Sequence, residues 1–428
     1  MNATATFTDT ERAAALLRSS ALLLEVGESG LALAGLERAD ALQSSVPRIK
    51  RARAIALAQM ERHLDAARVL MEELALAPDD GDAFRTFLGM MDRVPQIRSL
   101  PPYAFFRQFL RRLDDAVERR FPGRGHGATL HAAAQYAAFV LTRGPSFETT
   151  FSVLGDDDSR DWMLEVASLA ALGDERVRLP FDEEALAEFL ERAGSSLRRE
   201  KTGPVRAGEL AHWDLSAAGL PLSLLTTPER LSAWVHLGQC DLAREGAHVG
   251  PCPGDVVIES RGGLGDSALW LSHRVGSSGR VYSFEHEPEE VEVFRENLEL
   301  NPTLAPRVRL VEEKLTGASG ERTPGRIPAA AARTAVAKRT VDDFVHHHSI
   351  ERVDLLRLDV GGAEKAVLEG ARKTLARWRP RLAVAVHHNA EDLAETPAHV
   401  ARLGLGYRMF LGHFGVGTGE TVLFAVAD

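Results

Sequence analysis

From about residue 250 onward, short β-rich runs alternate with helical stretches, and this constrains the chain more than any other feature. "DVVIES", "RVYSFE", "RVRLVEE", "RVDLLRLDV" and "RLAVAVHH" read as strands. "GDSALWLSHRV", "EPEEVEVFRENLELN", "GAEKAVLEGARKTLARW" and "AEDLAETPAHVARLG" read as helices. Parallel strands need crossover connections, and helices supply them, so the pattern predicts a mostly parallel sheet covered on both faces. "GYRMFLGHF" and "ETVLFAVAD" follow as two strands joined by a Gly-rich turn, which predicts an antiparallel hairpin at one edge. In such sheets a ligand sits beyond the carboxyl ends of the strands, near the point where strand order reverses.

The first half is of a different kind. From about residue 10 to about 200, Ala, Leu, Arg and Glu dominate, and apolar residues recur at three- and four-residue spacing. A chain of 428 residues exceeds one ordinary core. The expected division is a helical domain at 1–205, a connecting segment at 206–249 and an α/β domain at 250–428. Residues 45–91 are predicted to run helix, turn, helix, turn, helix, with a Pro/Asp break at "APDD" between two of them, and further helices are predicted in "YAFFRQFLRRLDDAVERRF", "TLHAAAQYAAFVLTR" and "DEEALAEFLERAGSSLRRE". "HLDAARVLMEELALAPDDGDAF" resembles the second half of a tetratricopeptide-type unit, without a second copy at a fixed period.

The formal net charge of -10 gives no general attraction to nucleic acid or to anionic membranes. The only cysteines, Cys240 and Cys252, exclude a disulfide framework and a CxxC-type zinc site, and a reducing cytoplasm is expected. The start of the chain does not read as a signal peptide, and Glu and Gly interrupt its apolar runs, so no membrane span is predicted.

The chemistry concentrates in "VVIESRGGLGDSALWLSHRVG". Glu259 ends a strand, Gly262, Gly263 and Gly265 form a turn, and a helix follows at Asp266. Glycines let a ligand approach the backbone, and the helix start offers free N–H groups. Glu285 ends the next strand, where an acid can accept both hydroxyls of a ribose.

Taken in order, these stretches with "TVDDFV", "VDLLRLDVGGAEKAVLEGA", "RPRLAVAVHHNAEDL" and "GYRMFLGHF...ETVLFA" resemble the FkbM-type S-adenosylmethionine-dependent methyltransferases. The resemblance covers roughly residues 250 to 428. It implies a class I methyltransferase fold, Rossmann-like with an antiparallel terminal hairpin, preceded here by the all-α part. It also implies S-adenosyl-L-methionine as cofactor and methyl transfer to a hydroxyl of a sugar, natural product or other small-molecule or glycan acceptor. Glu259 stands where the family usually has Asp, Gly262 to Gly265 in its cofactor loop, with Asp266 following, and Glu285 in its ribose-binding place. Asp359 and Glu364 stand in its "D-x-E-G-x-E" motif and His388, or else His387, in the place of its histidine. Together Asp359, Glu364 and His388 are the expected catalytic group, with no metal.

This sequence departs from the family pattern in three places. Arg261 replaces the first glycine of the loop, Gly361 replaces the first Glu of the motif, and "AVAV" before the histidines lacks an acid. Arg261 could pair with the cofactor's carboxylate or repel its sulfonium, with Gly262 and Gly263 free to absorb the turn. The alternative function is therefore a non-catalytic S-adenosylmethionine-binding or scaffold protein. The hairpin argues against a dehydrogenase. The helical half is expected to recognise the acceptor, form a homo-oligomer or bind a partner protein.

The bland readings are that Asp359 caps a helix starting at Gly361 and that His346 to His348 mark a solvated helix end. Trp270 is read as core. Trp213 and Trp234 either roof the site or simply pack. The basic, low-complexity stretch Thr323 to Arg339 is read either as a mobile loop over the active site or as a plain solvated insertion.

Overall fold

The computed structural model describes residues 8–42, 47–76, 86, 105, 108, 109, 112, 136, 139, 140, 143–172, 198–205, 208–216, 219–244, 246–318, 320–323, 336–415 and 419–427. The expected break at "APDD", most of the helix expected after it and of the three later helices, and residues 324–335 of the basic stretch lie outside these. Two compact units are present: Met1–Glu148 with Ala167–Val177, and Thr149–Val166 with Arg178–Asp428. Residues 149–166, expected within the helical domain, thus belong to the second unit.

The first unit begins with four helices: α1 (Asp9–Glu25), α2 (Ser29–Leu42), α3 (Pro47–Gln59) and α4 (His63–Leu76). α1 opens with a capping box, in which Thr8 accepts from the Glu11 N–H while Glu11 accepts from the Thr8 N–H. Ala32, Leu33, Leu36 and Ala39 of α2 are buried, as are Ala66, Ala67, Val69 and Leu70 of α4. These positions follow the three- and four-residue spacing read from the sequence. Helices α5 (Gly144–Val153) and α6 (Asp157–Leu172) come next.

The second unit holds three antiparallel strands, β1 (Arg198–Val205), β2 (Gly208–Asp214) and β3 (Ser223–Thr226). Arg198, Arg199 and Glu200 were expected to end a helix. They pair instead with Asp214, Trp213 and His212 of β2, so tertiary pairing overrides local helix propensity. A short helix, α7 (Pro228–Leu231), follows, then the hairpin β4 (Leu242–Arg244) and β5 (Ala247–Val249).

The main sheet is built from β6 (Val256–Ser260), β7 (Arg280–Phe284), β8 (Val308–Val311), β12 (Leu355–Leu358), β13 (Arg381–Ala385), β14 (Tyr407–His413) and β15 (Thr421–Ala427). Among the described residues it has seven strands in the order β14-β15-β13-β12-β6-β7-β8. β15 runs antiparallel to both β13 and β14. The hairpin is present, but the antiparallel strand is not the edge. β15 is inserted one place in, and the edge strand β14 runs with the majority. A small sheet is formed by β9 (Lys314–Leu315), β10 (Gly320–Thr323) and β11 (Val336–Arg339), so the last four residues of the basic stretch, expected as loop, are a strand paired with β10 and β9.

The helices of this unit are α8 (Asp266–Val275), α9 (Pro288–Leu300), α10 (Val341–His347), α11 (Glu364–Glu369), α12 (Arg372–Trp378) and α13 (Asp392–Arg402). α8 is buried on nearly every side, because β2 and β3 share its core with the main sheet. Trp213, Leu224, Leu231, Trp234, Trp270 and Val257 belong to one cluster. Asn297 of α9 works like an extra strand. Its amide accepts from Leu225 N at 2.7 Å and donates to the carbonyls of Leu225 and Leu264 at 2.9 and 2.8 Å. The stretch expected to be one helix from Gly362 to Trp378 is split at Gly370 and Ala371. Asp342 of α10 caps the start of α12, accepting from Lys373 N and from Thr374 N and Oγ1.

Candidate functional site

Strand order reverses between β6 and β12, so the carboxyl ends of those strands frame the crevice where a ligand is expected. The glycine loop leaves β6, Glu285 ends β7, Asp359 follows β12, and His388 follows β13. The topology brings together the residues that the sequence singled out.

The loop's geometry is fixed from below. Glu259 is fully buried. Its Oε2 accepts from Ser283 Oγ at 2.8 Å and its Oε1 from Arg357 Nη1 at 3.1 Å. It therefore supports the loop from within the sheet. A Cβ at Gly262 would lie 2.0 Å from Ser283 Oγ, and one at Gly265 2.6 Å from Phe294. These two glycines allow the loop to press on β7 and α9. Gly263 differs, because the atoms nearest its Cβ position are the Arg230 guanidinium, at 2.7 Å.

Arg261 itself takes the left-handed turn, with φ 52°, and Gly263 and Gly265 are also left-handed. The expectation that Gly262 and Gly263 would absorb the turn is corrected, since the backbone strain of about 1–2 kcal/mol falls on a non-glycine residue. The Arg261 side chain is about half exposed. Its Nη1 lies 3.9 Å from Asp359 Oδ1, and a Cβ at Gly361 would stand 3.9 Å from the same nitrogen. The two departures from the family pattern are thus neighbours. The missing side chain at Gly361 leaves room for the guanidinium.

Glu285 is buried, and its carboxylate accepts from the N–H groups of Gly263 (2.8 Å), His286 (2.6 Å) and Glu287 (3.0 Å). Glu290 of α9 reaches the same carboxylate. Burial, then the Glu285 charge and a hydrogen bond to it, push the Glu290 carboxyl up to about 7. Asp266 is fully buried. It accepts from Arg230 Nε (2.8 Å) and Nη2 (2.6 Å), Thr226 Oγ1 (2.5 Å) and Ser267 N (2.9 Å). Its oxygens are committed to this network, so it bears on a ligand through Arg230.

On the β12 side, His388 Nε2 lies 2.8 Å from Asp359 Oδ1. Burial alone would raise the Asp359 carboxyl, but the His388 hydrogen bond and the Arg357 charge hold it well below the usual range. The hydrogen bond to Asp359 raises His388 in turn. His387 Nδ1 lies 3.0 Å from the Thr421 carbonyl, so of the two histidines it is His388 that pairs with Asp359. Asp359 caps no helix. Glu364 closes the turn instead, accepting from Val360 N (2.7 Å) and Gly362 N (3.3 Å) ahead of α11. Ligand atoms of Asp359, Glu364 and His388 lie within 4.8 Å of one another, a spacing that a divalent cation could bridge. Arg357, 3.5 Å from Asp359, and Arg261 set two positive charges against a cation there.

Several residues of the site escaped sequence reasoning. Arg357 is buried, and its guanidinium lies 4.7 Å over the Trp234 ring. Its signal was a charged residue in the middle of the apolar strand "LLRL". Cys240 lines a small cavity with Arg357, Asp359 and His387, and burial pushes its thiol up to about 12. Trp213, Trp234 and Trp270 are buried. His346 and His347 are exposed at the end of α10.

The strand order and the loop–acid–histidine arrangement define the class I methyltransferase fold. Residues 246–409 match the family model described as the methyltransferase FkbM domain. No curated protein matches the chain. Solved structures similar to it include a methyltransferase FkbM from Methylobacillus flagellatus KT, at 17% identity and a TM-score of 0.45, over 67% of this chain and 60% of that one. Another is Aeropyrum pernix fibrillarin with natively bound S-adenosyl-L-methionine, at 15% identity and a TM-score of 0.32, over 54% and 98%. A third is an O-methyltransferase from Bacillus cereus in complex with SAH, at 15% identity and a TM-score of 0.29, over 58% and 93%. Among the described residues no helix is long and apolar enough to cross a membrane.

Proposed function

We propose that the protein is an S-adenosylmethionine-dependent O-methyltransferase acting on a hydroxyl of a small molecule, such as a sugar or natural product. The Asp359–His388 pair, at the point where strand order reverses, carries this reading. Nε2 of His388 is held by Asp359, and Nδ1 has no hydrogen bond among the described residues. Nδ1 is therefore the nitrogen left to take a proton, and Asp359 stabilises the imidazolium that forms.

The residues present fit the cofactor. Glu285 presents a buried carboxylate at the loop, fixed by the N–H groups of Gly263, His286 and Glu287, and the space at Gly361 is open apart from Arg261. When bound, S-adenosylmethionine supplies an electrophilic methyl group. The chain's own part is to orient the acceptor, take its proton at His388 Nδ1 and exclude water. Positioning accounts for most of the rate in such displacements.

The helical unit is proposed to recognise the acceptor or to assemble with another copy or a partner. Its exposed Leu22, Val26 and Leu31 support that role. The rival reading, a non-catalytic scaffold, draws on Arg261 standing beside Asp359.

The test is transfer of an isotopically labelled methyl group into low-molecular-weight hydroxyl compounds of a cell extract. Labelled methyl ethers should form, and Glu285→Ala should abolish them. Asp359→Asn should lower the rate and move its rise with pH to lower pH, because His388 loses the partner that raises it. If the protein binds neither S-adenosylmethionine nor S-adenosylhomocysteine at millimolar concentration, the proposal falls. Binding without turnover would favour the scaffold.

A further inference from the structure

We infer that Arg230 is the anchor for the cofactor's α-carboxylate, contributed from outside the family-matched residues 246–409. The inference rests on the cofactor reading above and adds a residue to it.

The guanidinium is used along one edge only. Nε and Nη2 form a fork on Asp266, at 2.8 and 2.6 Å. Both N–H groups of Nη1 and the second one of Nη2 have no hydrogen bond among the described residues. That leaves the end-on edge, which has the geometry to receive a second carboxylate in two parallel bonds.

The free edge is placed at the loop. A Cβ on Gly263 would lie 2.7 Å from Nη2 and 3.1 Å from Nη1, so the guanidinium rests on the glycine with no side chain between. Its position is also fixed. Asp266 is fully buried and is itself held by Thr226 and Ser267, while the Arg230 side chain remains about one-third exposed. Ordering a long side chain costs affinity at the moment of binding, and here that cost is met in the folded protein.

The surrounding charge agrees. Besides Asp266, Glu290 and Asp359 both act on the guanidinium electrostatically. A ligand with two cationic centres and a single anion finds acids for the first and Arg230 for the second. Arg261 is the other candidate, but it makes no hydrogen bond among the described residues and stands by Asp359, on the acceptor side.

The test compares S-adenosylmethionine with its decarboxylated form, binding each to the full chain by calorimetry. The variants are Arg230→Lys, which keeps a charge against Asp266, and the double variant Arg230→Gln/Asp266→Asn, which strands no buried charge. Circular dichroism verifies folding. The wild-type protein should prefer the carboxylate-bearing form by about tenfold or more. The double variant should lose that preference, and Arg230→Lys should reduce it. Arg261→Gln should keep it. The inference is overturned if the wild-type protein shows no preference, or if the variants weaken both ligands equally. Failure of the wild-type protein to bind either form would instead overturn the cofactor reading.

Discussion

Replacing Arg357 with Met should be among the most damaging single changes in the second unit. Arg357 Nη1 bonds Glu259 Oε1 at 3.1 Å and the Ser260 carbonyl at 3.4 Å, and Nη2 lies 3.5 Å from Asp359. Met fills much of the volume and keeps contact with Trp234, so the loss is mainly electrostatic. Glu259, with no exposed surface, would retain one neutral donor, Ser283. Stranding a buried charge in this way costs about 3–5 kcal/mol. The double variant Glu259→Gln/Arg357→Met strands nothing at Glu259, and should recover about 2 kcal/mol of that cost. Urea unfolding followed by tryptophan fluorescence is the assay. All five tryptophans, at 162, 213, 234, 270 and 378, lie in the second unit, so the signal reports that unit alone. A loss below about 1 kcal/mol for Arg357→Met, or a double variant as unstable as the sum of the two singles, would refute the reasoning.

Two further outcomes follow from the same geometry. Arg261→Gly should relieve the left-handed strain and raise stability by about 0.5–1 kcal/mol, once glycine's entropy is deducted, and a lower melting temperature would contradict this. Burial and the Glu285 charge push the Glu290 carboxyl from its ordinary 4.5 up to about 7, so its stabilising contribution is present below 4.5 and is lost as pH rises to about 7. Glu290→Gln should therefore match the wild-type protein at about pH 3.5 and exceed it by about 1–2 kcal/mol at about pH 8, the figure being reduced for partial exposure. A difference that does not change with pH would remove the argument.

The alternation of strands and helices was enough to read the parallel sheet, the glycine loop and the acids at the strand ends. These are local in sequence, because each strand carries its functional residue at its own carboxyl end. The insertion of β15 between β13 and β14 was not legible, since a hairpin pattern does not say which of its strands meets the sheet. The roles of Glu259 and Asp266 were equally hidden. Both have the sequence position of ligand-facing acids, and only Arg357 and Arg230, which are distant along the chain, turn them into supports. "TTPERL" gives no sign that its arginine crosses to the glycine loop. Arg261 was legible as an oddity but not as a left-handed residue, because which of three successive positions bends depends on what presses on the loop.

The placement of β15 also bears on how the sheet is assembled. β14 leaves the ribosome before β15, yet among the described residues its neighbour in the main sheet is β15, and only through β15 does it connect to β13. Spatial order thus inverts the order of synthesis. Either the two strands close as a hairpin and dock together, or β14 waits without a neighbour in the main sheet. Until docking, β13 presents Leu382 and Val384 on an open edge, a template for pairing with another chain. Weakening the hairpin would therefore show itself first as aggregation through β13, with the strands from β12 to β8 still paired.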